Sequence, residues 1–179
     1  MSEPIPLIVD LDGTLIQTDT LVESIRALLK EKPLFVMLIP LWLLGGRFGF
    51  KAKLAGHIKL DPSKLPFDRV VLDYVKKEKQ HRPVILMTAA HQSIAKEVSD
   101  YLGIFDEFYG SMDHNLKGLE KVKLLKQMYP KYAYAGNSTA DLPVWKEAEE
   151  AIIVFRSLKL LAQLEREHSN IVYKIDRTG

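Results

Sequence analysis

Short apolar runs and helical stripes alternate along most of this chain. The segments Pro6–Val9, Val84–Met87, Glu107–Tyr109, Tyr132–Ala135 and Ala151–Phe155 read as strands, with a weaker one at Ile171–Ile175. Between them the apolar positions fall at helical spacing. His91–Leu102 carries Ile94, Ala95, Val98 and Leu102 on one face, and Leu119–Met128 and Ala140–Ala148 follow the same rule. Strand and helix in regular alternation imply an α/β fold, a Rossmann-like parallel sheet with helices on both faces.

One region breaks the rhythm. From Leu15 to Arg82 only helical periodicity is present, over Thr20–Lys30, Pro33–Leu44, Phe48–Ile58 and Phe67–Gln80. That is too long for a crossover between neighbouring strands, so a helical insertion over the sheet edge is expected. The division is residues 1–16 and 67–179 as the core, with 17–66 as the inserted helical cap. Inside the cap, Leu34–Leu44 is apolar throughout. As a helix it would be about 17 Å long, short of the roughly 30 Å hydrocarbon layer, and it contains Pro40. Two readings stay open: a buried helix or self-contact, or an interfacial element with Trp42, Arg47, Lys51 and Lys53 as its headgroup-facing edge.

Composition narrows the class. A length of 179 residues suits one domain or a core with a small insertion, and 47% hydrophobic with 27% charged residues supports a packed core rather than disorder. A net charge of +2 argues against general nucleic-acid binding. With no cysteine there is no disulfide, thiolate metal site or thiol nucleophile, which is compatible with a cytoplasmic protein. Met1–Pro4 lacks the start of a signal peptide, so no export leader is expected. Glu165–Gly179 reads as a final edge element with a frayed end.

The chemistry gathers where strands end. Leu7-Ile8-Val9 delivers Asp10 and Asp12, two positions apart, followed by the bend-permitting Gly13-Thr14. Carboxylates that close are costly unless a cation or a shared proton relieves them. Val84–Met87 ends in Thr88 and Ala89, whose hydroxyl and N–H groups suit an anionic oxygen at a helix start. Lys117, before Gly118, offers a charge that could neutralise a phosphoryl group. Tyr132–Ala135 leads into Gly136–Asp141, where Asn137 and Asp141 supply hard oxygen ligands of the kind Mg²⁺ prefers.

In order and spacing these pieces resemble the four motifs of the haloacid dehalogenase superfamily, in its phosphoserine-phosphatase-like branch with a helical cap after the first motif. Asp10–Leu15 resembles the first motif, Val84–Thr88 the second, Lys117-Gly118 the third and Gly136–Asp141 the fourth. The resemblance implies a Mg²⁺-dependent phosphomonoester hydrolase. Asp10 would be the nucleophile that forms an aspartyl-phosphate, and Asp12 the general acid and base. Thr88, Ala89 and Lys117 would bind the phosphoryl oxygens; Asp10, Asp12, Asn137 and Asp141 would hold the metal. Many relatives carry Asp where this chain has Asn137, which implies weaker metal affinity with the mechanism intact. Leu142–Trp145 and the apolar insertion further resemble soluble domains fused to membrane prenyltransferases of the ubiquinone-biosynthesis type. Substrate candidates are therefore a small metabolite such as phosphoserine or a polyprenyl-linked sugar phosphate. The competing reading is a phosphatase-like interaction module docking to such a membrane enzyme. Partners are a small-molecule phosphomonoester and, through Leu34–Leu44, a membrane or membrane enzyme; the expected location is the cytoplasm, with peripheral membrane contact open.

Overall fold

The structure, a computed structural model, describes residues 4–112, 115–155, 158–167 and 170–176. Within them β1 (Leu7–Val9), β2 (Val84–His91), β3 (Glu107–Ser111), β4 (Ala133–Gly136), β5 (Glu150–Phe155) and β6 (Ile171–Asp176) form one sheet in the order β3-β2-β1-β4-β5-β6, every pairing parallel. β1 lies between β2 and β4, with Val9 facing Leu86 on one side and Ala135 on the other. The chain winds outward from β1 in one direction through β2 and β3 and in the other through β4, β5 and β6. This reversal opens a crevice at the carboxyl ends of β1 and β4, the place where open α/β sheets bind ligands.

Both faces of the sheet are covered, and so β1 is apolar at every position. Leu7 and Val9 pack on one face against α4 (Arg69–Glu78) and α5 (Gln92–Leu102) through Val71, Val75, Ala95 and Val98. Ile8 packs on the other face with Val122 and Leu125 of α6 (Leu119–Met128) and with Val144 and Trp145 of α7 (Leu142–Glu147). Leu164 of α8 (Leu158–Glu167) joins the second cluster. That helix was not expected; among its described side chains the second cluster takes Leu161 and Leu164. The expected helix Ala140–Ala148 is a 3₁₀ turn, Thr139–Asp141, followed by α7, with Pro143 in the first turn of α7. The expected Phe67–Gln80 shortens to α4, because Asp68 caps it by accepting from the Val71 N–H at 2.9 Å. Residues 1–3 and 177–179, where the leader and frayed-end expectations fall, lie outside the described residues.

Between β1 and α4 stand α1 (Thr20–Glu31), a 3₁₀ helix (Pro33–Leu38), α2 (Ile39–Leu43) and α3 (Gly46–His57). They share an apolar cluster of their own: Leu28, Trp42, Phe50, Leu54 and Ile58. The expected single helix Pro33–Leu44 is broken because Pro40 has no N–H to continue the α ladder, so the chain restarts at Ile39 with Pro40 in its first turn. The resulting rod is apolar on both sides. Trp42 turns inward, 7% exposed and 4.7 Å from the His57 ring, and so is not on any headgroup-facing edge. Leu34, Met37, Leu41 and Leu44 turn outward at 80%, 81%, 62% and 82% exposure. Among the described residues no helix is long and apolar enough to cross a membrane.

Candidate active site

The ladder does not stop at Val9: the Asp10 N–H donates to the Ala135 carbonyl at 3.0 Å, holding the first residue past β1 against β4. The chain then leaves the extended path. The Leu15 and Ile16 N–H groups turn back to the carbonyls of Asp10 and Leu11, and Gly13 adopts φ 74°. Glycine is required there twice over. A positive φ strains any other residue, and a Cβ would lie 2.2 Å from Asn137 Nδ2. This close approach joins the loop after β1 to the loop after β4, where Thr14 Oγ1 donates to Asn137 Oδ1 at 3.2 Å.

Both carboxylates reach one cavity of about 600 Å³, whose wall also includes Lys51, Ala89, Lys117 and Asn137. Their surroundings differ. Asp10 is buried and accepts from Lys121 Nζ at 2.8 Å; burial pushes its carboxyl up to about 6, with Lys121 pulling it down and Asp141 adding to the rise. Asp12 is tied to the start of α1, accepting from the Thr20 N–H at 2.7 Å and the Thr20 hydroxyl at 3.2 Å. Burial pushes its carboxyl up to about 7, and the Asp19 charge adds to the rise.

Behind the carboxylates runs a buried chain of polar contacts. Lys121 is 2% exposed and donates to three oxygens: Asp10 Oδ1, the Met87 carbonyl at 3.0 Å and the Tyr134 hydroxyl at 2.8 Å. The Tyr134 hydroxyl donates in turn to Asp141 Oδ1 at 2.7 Å. Asp141 Oδ2 accepts from the N–H groups of Asn137 and Ser138 and from the Ser138 hydroxyl, at 3.0 to 3.2 Å. Gly136 makes room for this, since a Cβ there would lie 2.9 Å from Asp141 Cγ. Every ammonium proton of Lys121 has a partner, as burial of a charge requires.

Lys121 is the residue that sequence reasoning missed. The expected cation, Lys117, lines the cavity, whereas the contact to Asp10 is made one helical turn further on. The signal was present: Lys121 shares the inward stripe of α6 with Val122 and Leu125, an odd place for a lysine that only meets solvent. Thr88 is fully buried with its hydroxyl accepting from the Ala90 N–H at 3.0 Å, and the cavity wall includes its neighbour Ala89 rather than Thr88 itself. The Ala89 carbonyl accepts from Lys51 Nζ at 3.3 Å, so a cation of the cap, expected on a membrane-facing edge, points to the cavity instead.

The donor set fits a hard divalent cation. Asp10, Asp12 and Asp141 bring three carboxyls to a site whose one buried ammonium is paired with Asp10, so with all three ionised it holds excess negative charge. Burial is the main cause that raises Asp10 and Asp12, and the neighbouring carboxylates add to it. Among the described residues no three His, Cys, Asp or Glu side chains converge as a ready metal cluster. The oxygens of Asp141 are already engaged by Tyr134, Asn137 and Ser138. The Asp10 and Asp12 carboxyls and the Asn137 amide oxygen, which accepts from Thr14, are the other oxygen donors at the cavity wall. A cation bound by few protein oxygens, its other positions left to water and phosphate, is the habit of Mg²⁺.

No family model matches the chain. The uncharacterized protein y4nM of Sinorhizobium fredii is 38% identical over 164 residues, which are 89% of this chain and 32% of that protein. The chain therefore spans about a third of the length of the curated relative it matches. Among solved structures, a Bordetella pertussis protein of unknown function superposes with a TM-score of 0.70 at 12% identity, covering 96% of this chain and 99% of the other. A haloacid dehalogenase-like hydrolase of Streptococcus pneumoniae gives 0.62 at 16%, covering 97% and 95%. Phosphoserine phosphatase gives 0.59 at 13% in its apo form, covering 98% and 94%, and 0.57 at 11% as a phospho-aspartyl intermediate analogue, covering 98% and 95%. At these identities the likeness is one of architecture: the chain shares its fold with phosphoserine phosphatase and with the haloacid dehalogenase-like hydrolase, six parallel strands with helices on both faces.

Proposed function

We propose that the chain is a phosphomonoester hydrolase working through an aspartyl-phosphate on Asp10, with residues 17–66 as the cap over its site. The observation that carries this reading is the unequal pair at the end of β1. One carboxylate is fixed by a buried ammonium, and the other is pushed up to about 7, both on one cavity wall. A phosphoserine phosphatase of the same fold, solved as a phospho-aspartyl intermediate analogue, supports it.

In the first half-reaction a carboxylate oxygen of Asp10 attacks phosphorus. The bond from phosphorus to the substrate oxygen breaks, and Asp12, protonated at the start, gives its proton to that oxygen. In the second, Asp12 takes a proton from water as the water oxygen attacks phosphorus, releasing inorganic phosphate and restoring the Asp10 carboxylate. A group that titrates near 7 is suited to both jobs at neutral pH. Lys121 holds the Asp10 carboxylate in place and favours its ionised form. Lys117 and the backbone at Ala89 stand where they can meet phosphoryl oxygens. A bound Mg²⁺, held by the Asp10 carboxylate, the Asp12 carbonyl and Asn137, would supply Lewis-acid screening of the phosphate charge.

A small polar monoester suits this cavity better than a polyprenyl-linked one. Among the described residues lining it, none comes from Leu34–Leu44, and the cap contributes Lys51 and Leu21 together with the polar Gln17, Thr18 and Asp19 that lead into it. The test is release of phosphate from p-nitrophenyl phosphate and from phosphoserine, abolished by chelator and reduced at least about a thousandfold in Asp10→Asn. The second reading, an interaction module docking to a membrane enzyme, is favoured by the exposed apolar row of the cap. Absence of turnover across a panel of monoesters with Mg²⁺ would leave that reading standing and remove the first.

A further inference from the structure

The row Leu34, Met37, Leu41 and Leu44 recurs at intervals of three and four, so the 3₁₀ helix and α2 present it along one side of the cap. Leu38 and Leu43, at 39% and 50% exposure, widen it. The opposite side of the same rod is filled by Trp42 against His57 and by Phe35, which packs on the cap cluster. Among the described residues the cap cluster takes no member from the outer row, so the packing described there does not require these side chains to be large and apolar. A contiguous exposed apolar surface of this kind marks an interaction site.

Two features of the chain choose the occupant. The first is charge. Residues 20–60 contain seven Lys or Arg against two Asp or Glu, a net +5, while the rest of the chain sums to −3. Lys30 and Lys32 directly precede the rod; Lys30 is exposed, while the Lys32 ammonium donates to the His57 carbonyl at 2.7 Å. Two copies meeting through this row would bring like charges together; an anionic surface would be attracted. The second is chemistry. The row is Leu and Met only, its tryptophan turned inward, whereas protein interfaces draw their energy from exposed Trp, Tyr and Arg anchors. Flexible aliphatic side chains flanked by lysines match the acyl and headgroup boundary of a bilayer.

We propose that the outer face of the rod, Leu34 to Leu44, lies in the interface of an anionic lipid bilayer, with Lys30 at the headgroups. The rod packs on α3, and α3 carries Lys51 to the cavity, so the docked face and the site are joined by one helix. This inference does not depend on the reaction assigned above, because its readout needs no turnover.

The experiment is co-sedimentation with vesicles of phosphatidylglycerol mixed with phosphatidylcholine, against vesicles of phosphatidylcholine alone. The wild type is expected to partition onto the anionic vesicles, more weakly as salt rises. Met37→Asp combined with Leu41→Asp is expected to weaken partitioning about tenfold or more, with far-ultraviolet circular dichroism unchanged. Leu44→Asp alone, at the most exposed position, is the second variant should the pair fail to fold, and a severalfold loss is expected. Equal binding by wild type and variants, or no binding to anionic vesicles, overturns the proposal. So does a wild type that self-associates in sedimentation equilibrium and becomes monomeric in Leu44→Asp, because the face would then belong to a second copy.

Discussion

At the carboxyl end of β1 ionisable groups are packed away from water, while on the outer side of the cap large apolar groups are left in it. Each arrangement is costly by itself, and the two are resolved differently. Lys121 is surrounded: Asp10, Met87 and Tyr134 take its protons, Tyr134 leads on to Asp141, and Asp141 is held by the loop after β4. The row from Leu34 to Leu44 has no such internal answer among the described residues, because the cap cluster closes beneath it around Trp42 and Leu54. Where compensation comes from inside, the fold depends on the residues concerned. Where it comes from outside, the fold should hardly notice their replacement. The contrast separates residues that make the molecule from residues that connect it to something else.

The sharpest way to break that contrast is to remove the ammonium. Lys121→Met leaves Asp10 without its buried partner and the Tyr134 hydroxyl without its donor, and losing one member of a buried ion pair costs about 3–5 kcal/mol. A drop of that size in the free energy of urea unfolding is expected, with phosphatase turnover reduced about a hundredfold or more. Unfolding indistinguishable from wild type would mean that the network does not hold the core together.

The second test uses pH. Asp12 titrates at about 7 when folded against an ordinary 3.8, so the folded protein binds its proton more tightly than the unfolded chain does. Between about pH 4 and about pH 7 the folded form keeps a proton that the unfolded form has lost, and stability falls as pH rises across that window. Asp10, raised to about 6, gives a slope of the same sign. Asp12→Asn cannot ionise and should be flatter. Because part of the Asp12 carboxyl meets the cavity, the gain over wild type above about pH 8 is placed at about 2–4 kcal/mol, shrinking toward zero near pH 4. Thermal melts of both proteins across that range decide it. Turnover should be lost in the same variant, separating the cost of the carboxylate from its use.

How much of this was visible in the sequence differs between the two regions for the same physical reasons. Asp10 and Asp12 are adjacent to the apolar run that places them, so a strand end and two carboxylates could be read together. Asn137 and Asp141 follow β4 in the same way. The sheet order could not be read from local pattern, but alternation restricted it to a parallel sheet, and the crevice follows from that. Lys121 was hidden because a lysine on a helix ordinarily extends into solvent; only its place beside Val122 and Leu125 on the inward stripe marks it. In the cap the difficulty is the reverse. Leu34–Leu44 is apolar on every side, so it has no period from which to tell inside from outside, and only the packing of Trp42 on His57 reveals which row is left exposed. Pro40 carried the signal for the break, although a single helix over Pro33–Leu44 was expected.

A smaller effect is expected at Asn137. Its amide oxygen already accepts from Thr14, and a carboxylate there would add one negative charge beside the oxygens assigned to the cation. Asn137→Asp should lower the Mg²⁺ concentration giving half-maximal activity about tenfold, and the same shift should appear in Mg²⁺-dependent thermal melts. An unchanged requirement would mean that this position does not face the ion.

The smallest expected effect tests the cap side of the comparison. Leu34→Lys and Leu44→Gln replace side chains that are 80% and 82% exposed and that leave the cluster around Trp42 untouched. Little apolar area is removed from any interior, so the change in unfolding free energy should stay within about 0.5 kcal/mol. Trp42 lies two residues before Leu44, and its cluster gives the scale against which that indifference is judged: truncating a buried tryptophan costs about 3–5 kcal/mol. If Leu34→Lys or Leu44→Gln destabilised the isolated chain by an amount approaching that, the outer row would be serving the fold after all. Indifference, measured alongside the collapse expected of Lys121→Met, would show that these leucines are kept for a contact outside the molecule.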